Sequence, residues 1–240
     1  MRTAVVTGAG TGIGRAIAVA LHADGHHVVV TGRRPDPLEK LVAELGGAAA
    51  AVPFDASDPA AVEAALDRLP GHVDVLVNNA GGNTDFDRDA PAGLAAVASA
   101  WRANLNANLL SAVLVTTALR ERLRAGGAVV HIGSIAADKG AGAYGAAKAG
   151  LASWTVDLAL RLGPDGITVN TVAPGYVAGT EFFRDRLTRE RRSALIEAAA
   201  TRQASTPDDI AAMVAFLASP GARQITGQCV AVNGGERTTR

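Results

Sequence analysis

The segment TAVVTGAGTGIG, residues 3–14, decides how the rest of the chain is interpreted. Its apolar start predicts a buried strand over Ala4 to Thr7, and an apolar helical pattern begins at Ile13. Glycine lets backbone come close to a ligand, and a helix amino terminus presents free N–H groups and partial positive charge. A strand, a glycine-rich turn and a helix in this order predict a site for the pyrophosphate of a dinucleotide. The residues assigned to it are Gly8, Thr11, Gly12, Ile13 and Gly14.

The glycine spacing of this turn is Gly-x3-Gly-x-Gly, which differs from the Gly-x-Gly-x-x-Gly of the common dinucleotide fingerprint. A tight turn with a purely structural role is the alternative. The position of the turn, after the first strand and before a helix, favours the dinucleotide.

The same alternation of strand and helix patterns continues along the whole chain. Strands are predicted at Ala4–Thr7, His27–Thr31, Ala48–Phe54, Asp74–Asn78, Ala128–Ile132, Ile167–Val172 and Cys229–Val232. Helices are predicted at Ile13–Ala23, Leu38–Leu45, Ala60–Leu69, Leu94–Arg124, Tyr144–Leu162, Arg184–Ala200 and Asp208–Leu217. Nearly continuous apolar strands are typical of parallel sheets covered on both faces. We therefore expect one α/β domain over residues 1–240, a doubly wound parallel sheet of about seven strands with helices on both faces.

Composition excludes several classes of protein. The 240 residues carry 23 basic and 23 acidic side chains, so no broad positive field attracts nucleic acid or an anionic membrane. No apolar run reaches the length of a membrane-spanning helix, and the first residues do not form a secretory signal. One cysteine, Cys229, cannot form an intrachain disulfide, so we expect a soluble protein of the reducing cytoplasm. The five histidines share no ligand spacing, and no metal site is expected.

The end of the second strand selects the cofactor, because it lies beside the adenosine ribose in such folds. The sequence there is Thr31-Gly32-Arg33-Arg34, without a carboxylate to accept from a ribose 2′-hydroxyl. A guanidinium at Arg33 binds a 2′-phosphate well, so NADP(H) is favoured over NAD(H). A solvated arginine loop is the alternative. Asp55 follows the third strand. It either contacts the adenine of the cofactor or does not, and the sequence favours neither alternative.

Three further polar groups follow the carboxyl ends of predicted strands. Asn79-Ala80-Gly81 follows the fourth strand, Ser134 the fifth, and Tyr144-x3-Lys148 opens the helix before the sixth. Ligands in open α/β sheets bind at this edge, so we expect these groups to converge beside the cofactor. A capped helix at Ser134, a buried structural tyrosine and a snorkelling lysine are the alternatives.

These motifs together resemble the short-chain dehydrogenase/reductase family, from the first strand to Gly235. Thr7–Gly14 matches the family's Thr-Gly-x3-Gly-x-Gly, Asn78–Gly81 its Asn-Asn-Ala-Gly, and Tyr144–Lys148 its Tyr-x3-Lys. The resemblance implies a nicotinamide-dependent oxidoreductase that interconverts a ketone and a secondary alcohol. The pattern is most similar to 3-oxoacyl carrier-protein reductases and related ketoreductases. Polyol, steroid or quinone-type substrates are the enzymatic alternatives, and a non-catalytic nucleotide-binding sensor or structural subunit is the alternative of another class.

The resemblance also implies roles for individual residues. Tyr144 is the proton donor and Ser134 holds the substrate oxygen, while Lys148 bonds the nicotinamide ribose. Asn108 anchors a water of the proton relay, although Asn104 and Asn106 compete for this assignment. Pro174-Gly175 and Val177 lie beside the nicotinamide. A phenol pKa near 10 has to fall by about three units to reach neutrality, and an ammonium near Tyr144 favours that change in a partly closed pocket.

The substrate region departs from the family pattern. Only ten positions separate Ser134 from Tyr144, and this short, glycine-containing interval predicts an open or adaptable pocket wall. Residues 176–206 form a long excursion that suggests a lid. Phe182 and Phe183 in it either close over an apolar substrate or anchor the next helix, and neither reading is favoured.

The helix over Tyr144–Leu162 is apolar on almost every side. One sheet cannot bury all of that surface, and in the family this helix packs against its copy in another subunit. We therefore expect a homotetramer, or at least a homodimer.

Overall fold

A computed structural model describes residues 1–87 and 89–238, and a seven-stranded sheet forms its centre. The strands are β1 Thr3–Thr7, β2 His27–Gly32, β3 Ala49–Pro53, β4 Val73–Asn78, β5 Leu123–Ile132, β6 Thr168–Pro174 and β7 Cys229–Val232. Their order is β3-β2-β1-β4-β5-β6-β7, and every pairing is parallel. The predicted single-domain, doubly wound parallel fold is confirmed.

Helices cover both faces of the sheet. They are α1 Gly12–Ala23, α2 Pro35–Leu45, α3 Pro59–Ala65, α4 Gly93–Leu105, α5 Ser111–Leu119, α6 Ala136–Lys139, α7 Gly142–Leu162, α8 Arg189–Ala198 and α9 Pro207–Ala218. Asp58 caps the amino end of α3, because its carboxylate accepts from the Ala60 amide at 3.0 Å. None of the helices within the described residues has the length and apolarity to cross a membrane.

Alternate residues of each strand enter two separate cores. Val6, Val30 and Val77 point to the face covered by α1, α2 and α9. Val5 and Leu76 point to the opposite face, where α3, α5 and α7 pack. Burial on both faces explains why these strands are apolar at consecutive positions.

The predicted helix over Leu94–Arg124 is wrong in its extent. A π-helical segment, Asn106–Leu110, separates α4 from α5, and α5 ends at Leu119. Leu123 already pairs with Val73 of β4, so the end of the predicted helix belongs to β5. Strand pairing with β4 outweighs helix propensity there.

The predicted helix over Arg184–Ala200 also begins later. Arg184 has φ 53, a left-handed conformation that a helix does not accommodate. The helix α8 instead starts at Arg189. Thr188 caps its amino end, because the Thr188 hydroxyl accepts a hydrogen bond from the Arg191 amide at 3.2 Å. Residues 184–186 form a separate 3-10 turn.

The ends of β1 and β4 are joined by the side chain of Thr7. Its hydroxyl oxygen accepts from the amides of Asn79 and Ala80, both at 3.0 Å, and donates to the Val77 carbonyl at 3.3 Å. Thr7 is buried, so no solvent replaces these bonds. The hydroxyl therefore holds the loop after β4 against the glycine-rich turn.

Replacing Thr7 with valine, which has nearly the same shape, leaves the two partly buried amides of Asn79 and Ala80 without their acceptor. We expect the free energy of unfolding to fall by about 1–3 kcal/mol, measured by urea denaturation. Thr7→Ser keeps the acceptor and should lose less. Equal stability of Thr7→Val and the wild type would contradict the role given to the hydroxyl.

Candidate active site

A cleft of about 1320 Å³ runs along the carboxyl edge of the sheet. With the exception of Asn108, every residue that the sequence assigned to the site lines it. These residues are Gly8, Thr11, Gly12, Ile13, Gly14, Arg33, Asp55, Asn79, Ala80, Gly81, Ser134, Tyr144, Lys148, Pro174, Gly175 and Val177. Strand order accounts for the convergence, because β1, β4, β5 and β6 are neighbours and end at the same edge.

The glycine-rich turn has the shape of an anion cradle. Gly8 and Gly12 have φ 65 and 55, in the left-handed region that favours glycine. A Cβ on Gly14 would lie 2.3 Å from both the Gly8 carbonyl oxygen and the Asn79 side-chain nitrogen. No side chain caps the amino end of α1, so its first amides are available to a ligand. This arrangement fits a pyrophosphate.

Asn79 holds the cradle in place. Its side-chain amide donates to the carbonyls of Thr7 at 2.9 Å and Gly8 at 3.0 Å. Those donors are used within the protein, so the side chain of Asn79 shapes the turn. The backbone at Ala80 and Gly81 forms the adjoining wall of the cleft.

Charged side chains surround the end of the cleft that lies beside β2 and β3. Arg33 is exposed there, while the Arg34 guanidinium lies 3.2 Å from the Glu181 carboxylate. Burial raises the pKa of Asp55, but hydrogen bonds from Ser57 and the charge of Arg33 outweigh this effect and lower it overall. Asp55 is thus an anion that faces Arg33 and accepts from Ser57 at 2.7 and 2.9 Å.

Tyr144 lies in the first turn of α7, with its ring buried against the carboxyl end of β5. Burial raises the pKa of Tyr144 to about 12, and a hydrogen bond with the Ser134 side chain opposes this rise. The expected fall of the phenol pKa towards neutrality is therefore not found, because the loss of hydration outweighs the hydrogen bond with Ser134. The Ser134 hydroxyl also accepts from the Ala136 amide at 3.1 Å, in the turn that leads into α6, whose N-cap residue is Ile135.

Lys148 follows Tyr144 one helical turn later and is also buried. Its Nζ donates to the Ile132 carbonyl at 2.7 Å and lies 5.9 Å from the centre of the Tyr144 ring. Burial lowers the pKa of Lys148 to about 8. The amine is thereby held at the end of β5, between the sheet and the phenol.

Asn108 lies behind the cleft wall and is almost fully buried. Its side-chain oxygen accepts from the Gly82 amide, and its nitrogen donates to the Gly82 carbonyl, both at 2.9 Å. Asn104 is also buried and binds the Thr84 amide and the Asp85 carboxylate. Asn106, the third candidate, is exposed and lines the cleft. The side chains of Asn108 and Asn104 therefore clamp the loop after β4.

The structure adds residues that sequence reasoning did not assign to the site. Thr180 lies over the glycine-rich turn, where a Cβ on Gly12 would be 3.5 Å from its methyl group. Phe86 comes from the loop after β4 and contacts Phe182 and Phe183 at ring-centre distances of 5.7 and 5.6 Å. No periodic pattern marks Phe86, whereas Thr180 stands in the glycine-containing stretch after Pro174-Gly175. Within residues 1–87 and 89–238, no three His, Cys, Asp or Glu side chains are grouped as metal ligands would be.

Comparisons with known proteins agree with this geometry. Residues 8–236 match the family described as enoyl-(acyl carrier protein) reductase. The 3-oxoacyl-(acyl-carrier-protein) reductase FabG of Escherichia coli (strain K12) is 35% identical over 242 residues, covering 98% of this chain and 96% of the relative. The short-chain reductase protein NovJ of Streptomyces niveus is 37% identical over 247 residues, with coverages of 97% and 92%.

Solved structures agree as well. A short chain dehydrogenase from Burkholderia cenocepacia J2315, crystallised in complex with NADP, superposes with a TM-score of 0.87. It is 36% identical, and the alignment covers 99% of this chain and 98% of that one. Sequence and structure together show that the chain belongs to the short-chain dehydrogenase/reductase family of oxidoreductases.

Proposed function

We propose that the protein uses NADP(H) to interconvert a ketone and a secondary alcohol. The observation that carries this proposal is the group formed by Tyr144, Ser134 and Lys148. It lies in the same cleft as the glycine-rich cradle, with the Tyr144 phenol hydrogen-bonded to Ser134. A bound reduced nicotinamide supplies the hydride. The protein then has to stabilise and protonate the oxygen on which negative charge develops.

The Tyr144 phenol donates that proton. Because burial raises its pKa to about 12, the phenol is protonated at neutral pH and ready to act as an acid towards the much more basic alkoxide oxygen. Ser134 donates a second hydrogen bond to the same oxygen. Lys148, fixed by the Ile132 carbonyl, holds a proton near the phenol and binds the ribose hydroxyls. Asn108 positions the wall at Gly82, and its side-chain atoms are already bonded there.

Residues of the cradle and its surroundings would bind the cofactor. Gly8 to Gly14 receive the pyrophosphate, Asp55 lies at the adenine end, and Pro174, Gly175 and Val177 face the nicotinamide. Residues 176–206 act as the substrate lid. The cofactor-complexed relative from Burkholderia cenocepacia supports a nicotinamide dinucleotide, and its NADP supports the phosphorylated form.

The named relatives make 3-oxoacyl thioesters the first substrates to test, followed by polyols, steroids and quinones. Binding of NADPH without oxidation on any carbonyl compound would instead favour a nucleotide sensor or structural subunit. The free, exposed Cys229 fits a reducing compartment, so we place the protein in the cytoplasm.

Tyr144→Phe tests the proton donor directly. We expect kcat for ketone reduction to fall by about 10²- to 10⁴-fold while NADPH still binds, because the phenyl ring keeps the packing and loses the acidic proton. Turnover is measured as NADPH oxidation, and NADPH binding by fluorescence titration. The comparison variant is Tyr176→Phe at the chain's other tyrosine, which removes a hydroxyl from the same cleft but not the proposed proton donor, and should lower kcat far less than Tyr144→Phe. Near-normal turnover of Tyr144→Phe would refute the assignment.

Arg33→Gln tests the cofactor preference. Removing the guanidinium should weaken NADPH binding by about 10- to 100-fold and leave NADH binding nearly unchanged, because only NADPH carries the 2′-phosphate. Dissociation constants for both cofactors give the ratio. Arg34→Gln is the matched control, since the Arg34 guanidinium is engaged by Glu181, and its effect should be smaller. Equal weakening of NADPH and NADH by Arg33→Gln would contradict the preference for NADP(H).

We further propose that α7 forms part of a subunit interface in a homotetramer or homodimer. Leu160 and Val156 of this helix are 75% and 49% exposed, while Leu151, Leu158 and Leu162 pack inward. An exposed apolar face on a helix whose other side is buried favours association with a second copy.

Light scattering should accordingly give the mass of at least two chains. The double variant Val156→Glu/Leu160→Glu should shift the mass towards one chain, because charges in an apolar interface are costly to desolvate. Val19→Glu on α1, also at an exposed apolar position, is the control and should leave the mass unchanged. A single-chain mass for the wild type would exclude the interface.

A further inference from the structure

Aromatic side chains are concentrated at the active-site cleft. The chain has five phenylalanines, two tyrosines and two tryptophans. Five of these nine rings line the substrate end of the cleft: Tyr144, Tyr176, Phe86, Phe182 and Phe183. They come from three separate stretches of sequence, so local chain proximity does not account for the clustering.

The rings form a connected wall beside the proposed proton donor. Phe182 lies 5.5 Å from the Tyr144 ring and makes edge-on contacts with Phe86 at 5.7 Å and Phe183 at 4.9 Å. Phe183 in turn contacts Tyr176 at 5.9 Å. Ring separations of this size are those of favourable aromatic pairs. We call Phe86, Phe182 and Phe183 the phenylalanine wall.

The phenylalanine wall still has apolar surface to offer a ligand. All three rings are only partly buried and line the cleft, in contrast to the buried Tyr144. Ala136, Gly140 and Ala141, from the short interval between Ser134 and Tyr144, line the same cleft with small or no side chains, together with Ile135 and Lys139. A flat apolar group thus finds aromatic surface on the phenylalanine wall and space beside the three small residues.

Arg184 holds the two halves of the wall together. Its guanidinium makes a two-pronged ion pair with Asp87, next to Phe86, at 2.9 and 3.0 Å. The same guanidinium donates to the carbonyls of Glu181 at 2.8 Å and Phe182 at 3.0 Å. Arg184 also has the left-handed φ of 53, a conformation unusual for a side chain of this size. One residue therefore connects the loop after β4 with the segment that carries Phe182.

Building on the proposed ketone reduction, we infer that the substrate is a ketone whose carbonyl carries an aryl or similarly flat apolar group, packed against Phe182. Phe182 is the specificity-determining residue, and Arg184 is a positioning residue that sets the ring beside Tyr144. Aromatic pairing adds to area burial, so a ring should be favoured over a saturated group of equal size by about two- to tenfold.

The test compares acetophenone with cyclohexyl methyl ketone, which differ in the aromaticity of one ring. Relative to the wild type, Phe182→Leu should lower the ratio of kcat/KM for acetophenone to that for cyclohexyl methyl ketone by about two- to tenfold, a comparison in which the different intrinsic reactivities of the two carbonyls cancel. Phe86→Leu is a second variant of the same wall and should lower the ratio in the same direction. Phe216→Leu is the matched control, because Phe216 is half-exposed on α9 and does not line the cleft. An unchanged ratio in both Phe182→Leu and Phe86→Leu would overturn the inference.

Arg184→Lys tests the positioning role. A lysine keeps the charge but cannot make the two-pronged contact together with the two carbonyl bonds. We expect the acetophenone preference to fall while the melting temperature stays the same, since this guanidinium is partly exposed. A fall in melting temperature without a change in the ratio would show a purely structural role and overturn the assignment of Arg184.

A binding measurement tests the aryl site independently of the proposed ketone reduction. Calorimetry on the NADPH-loaded protein compares 1-phenylethanol with 1-cyclohexylethanol, which requires no turnover. Tighter binding of the aryl alcohol, lost in Phe182→Leu, supports the aryl site even if no ketone is reduced, in which case only the proposed reaction fails. Reduction of both ketones with no aryl preference, and equal binding of both alcohols, would leave the reaction standing and refute the aryl site.

Discussion

The close approach of Gly14 to the end of β1 is the constraint on which the site depends. A Cβ at this position would lie 2.3 Å from the Gly8 carbonyl oxygen and from the Asn79 amide, so only glycine lets α1 begin there. The Asn79 side chain donates to the Gly8 carbonyl in the turn, and the Thr7 hydroxyl accepts from the Ala80 amide in the loop after β4. In the same loop, the Gly82 carbonyl accepts from the Asn108 side chain. The anion cradle and the wall of the reacting end are thereby joined by one chain of hydrogen bonds.

Burial acts on Tyr144 and Lys148 in opposite directions, because it disfavours the charged form of each. The phenol pKa rises to about 12 and the ammonium pKa falls to about 8. Both groups therefore carry a proton at neutral pH, as a site that delivers a proton to an oxygen requires. The Ile132 carbonyl compensates the ammonium in part, since its bond to Nζ replaces a bond to water.

The parts of the site that follow strand ends could be predicted from the sequence. Parallel strands deliver their following residues to one edge, so Ser134 and the Tyr144–Lys148 pair converge whatever the lengths of the helices between them. The interruption of the predicted long helix at Asn106–Leu110 could not be read in the same way. This π-helical segment contains Asn108, whose side chain bonds Gly82 in a loop 26 residues earlier in the chain. Helical periodicity reports on near neighbours and does not reveal such a bond.

The sequence by itself determined the glycine-rich turn, the alternation that makes a doubly wound sheet, and the one-turn spacing of phenol and amine. Each of these follows from local steric limits or from burial on both faces of a strand. The tertiary structure alone decided that Phe86 meets Phe182 and that Arg184 pairs with Asp87, 97 positions away. Contacts of this kind depend on which loops the strand order brings to the same edge of the sheet, and no short-range pattern encodes that order.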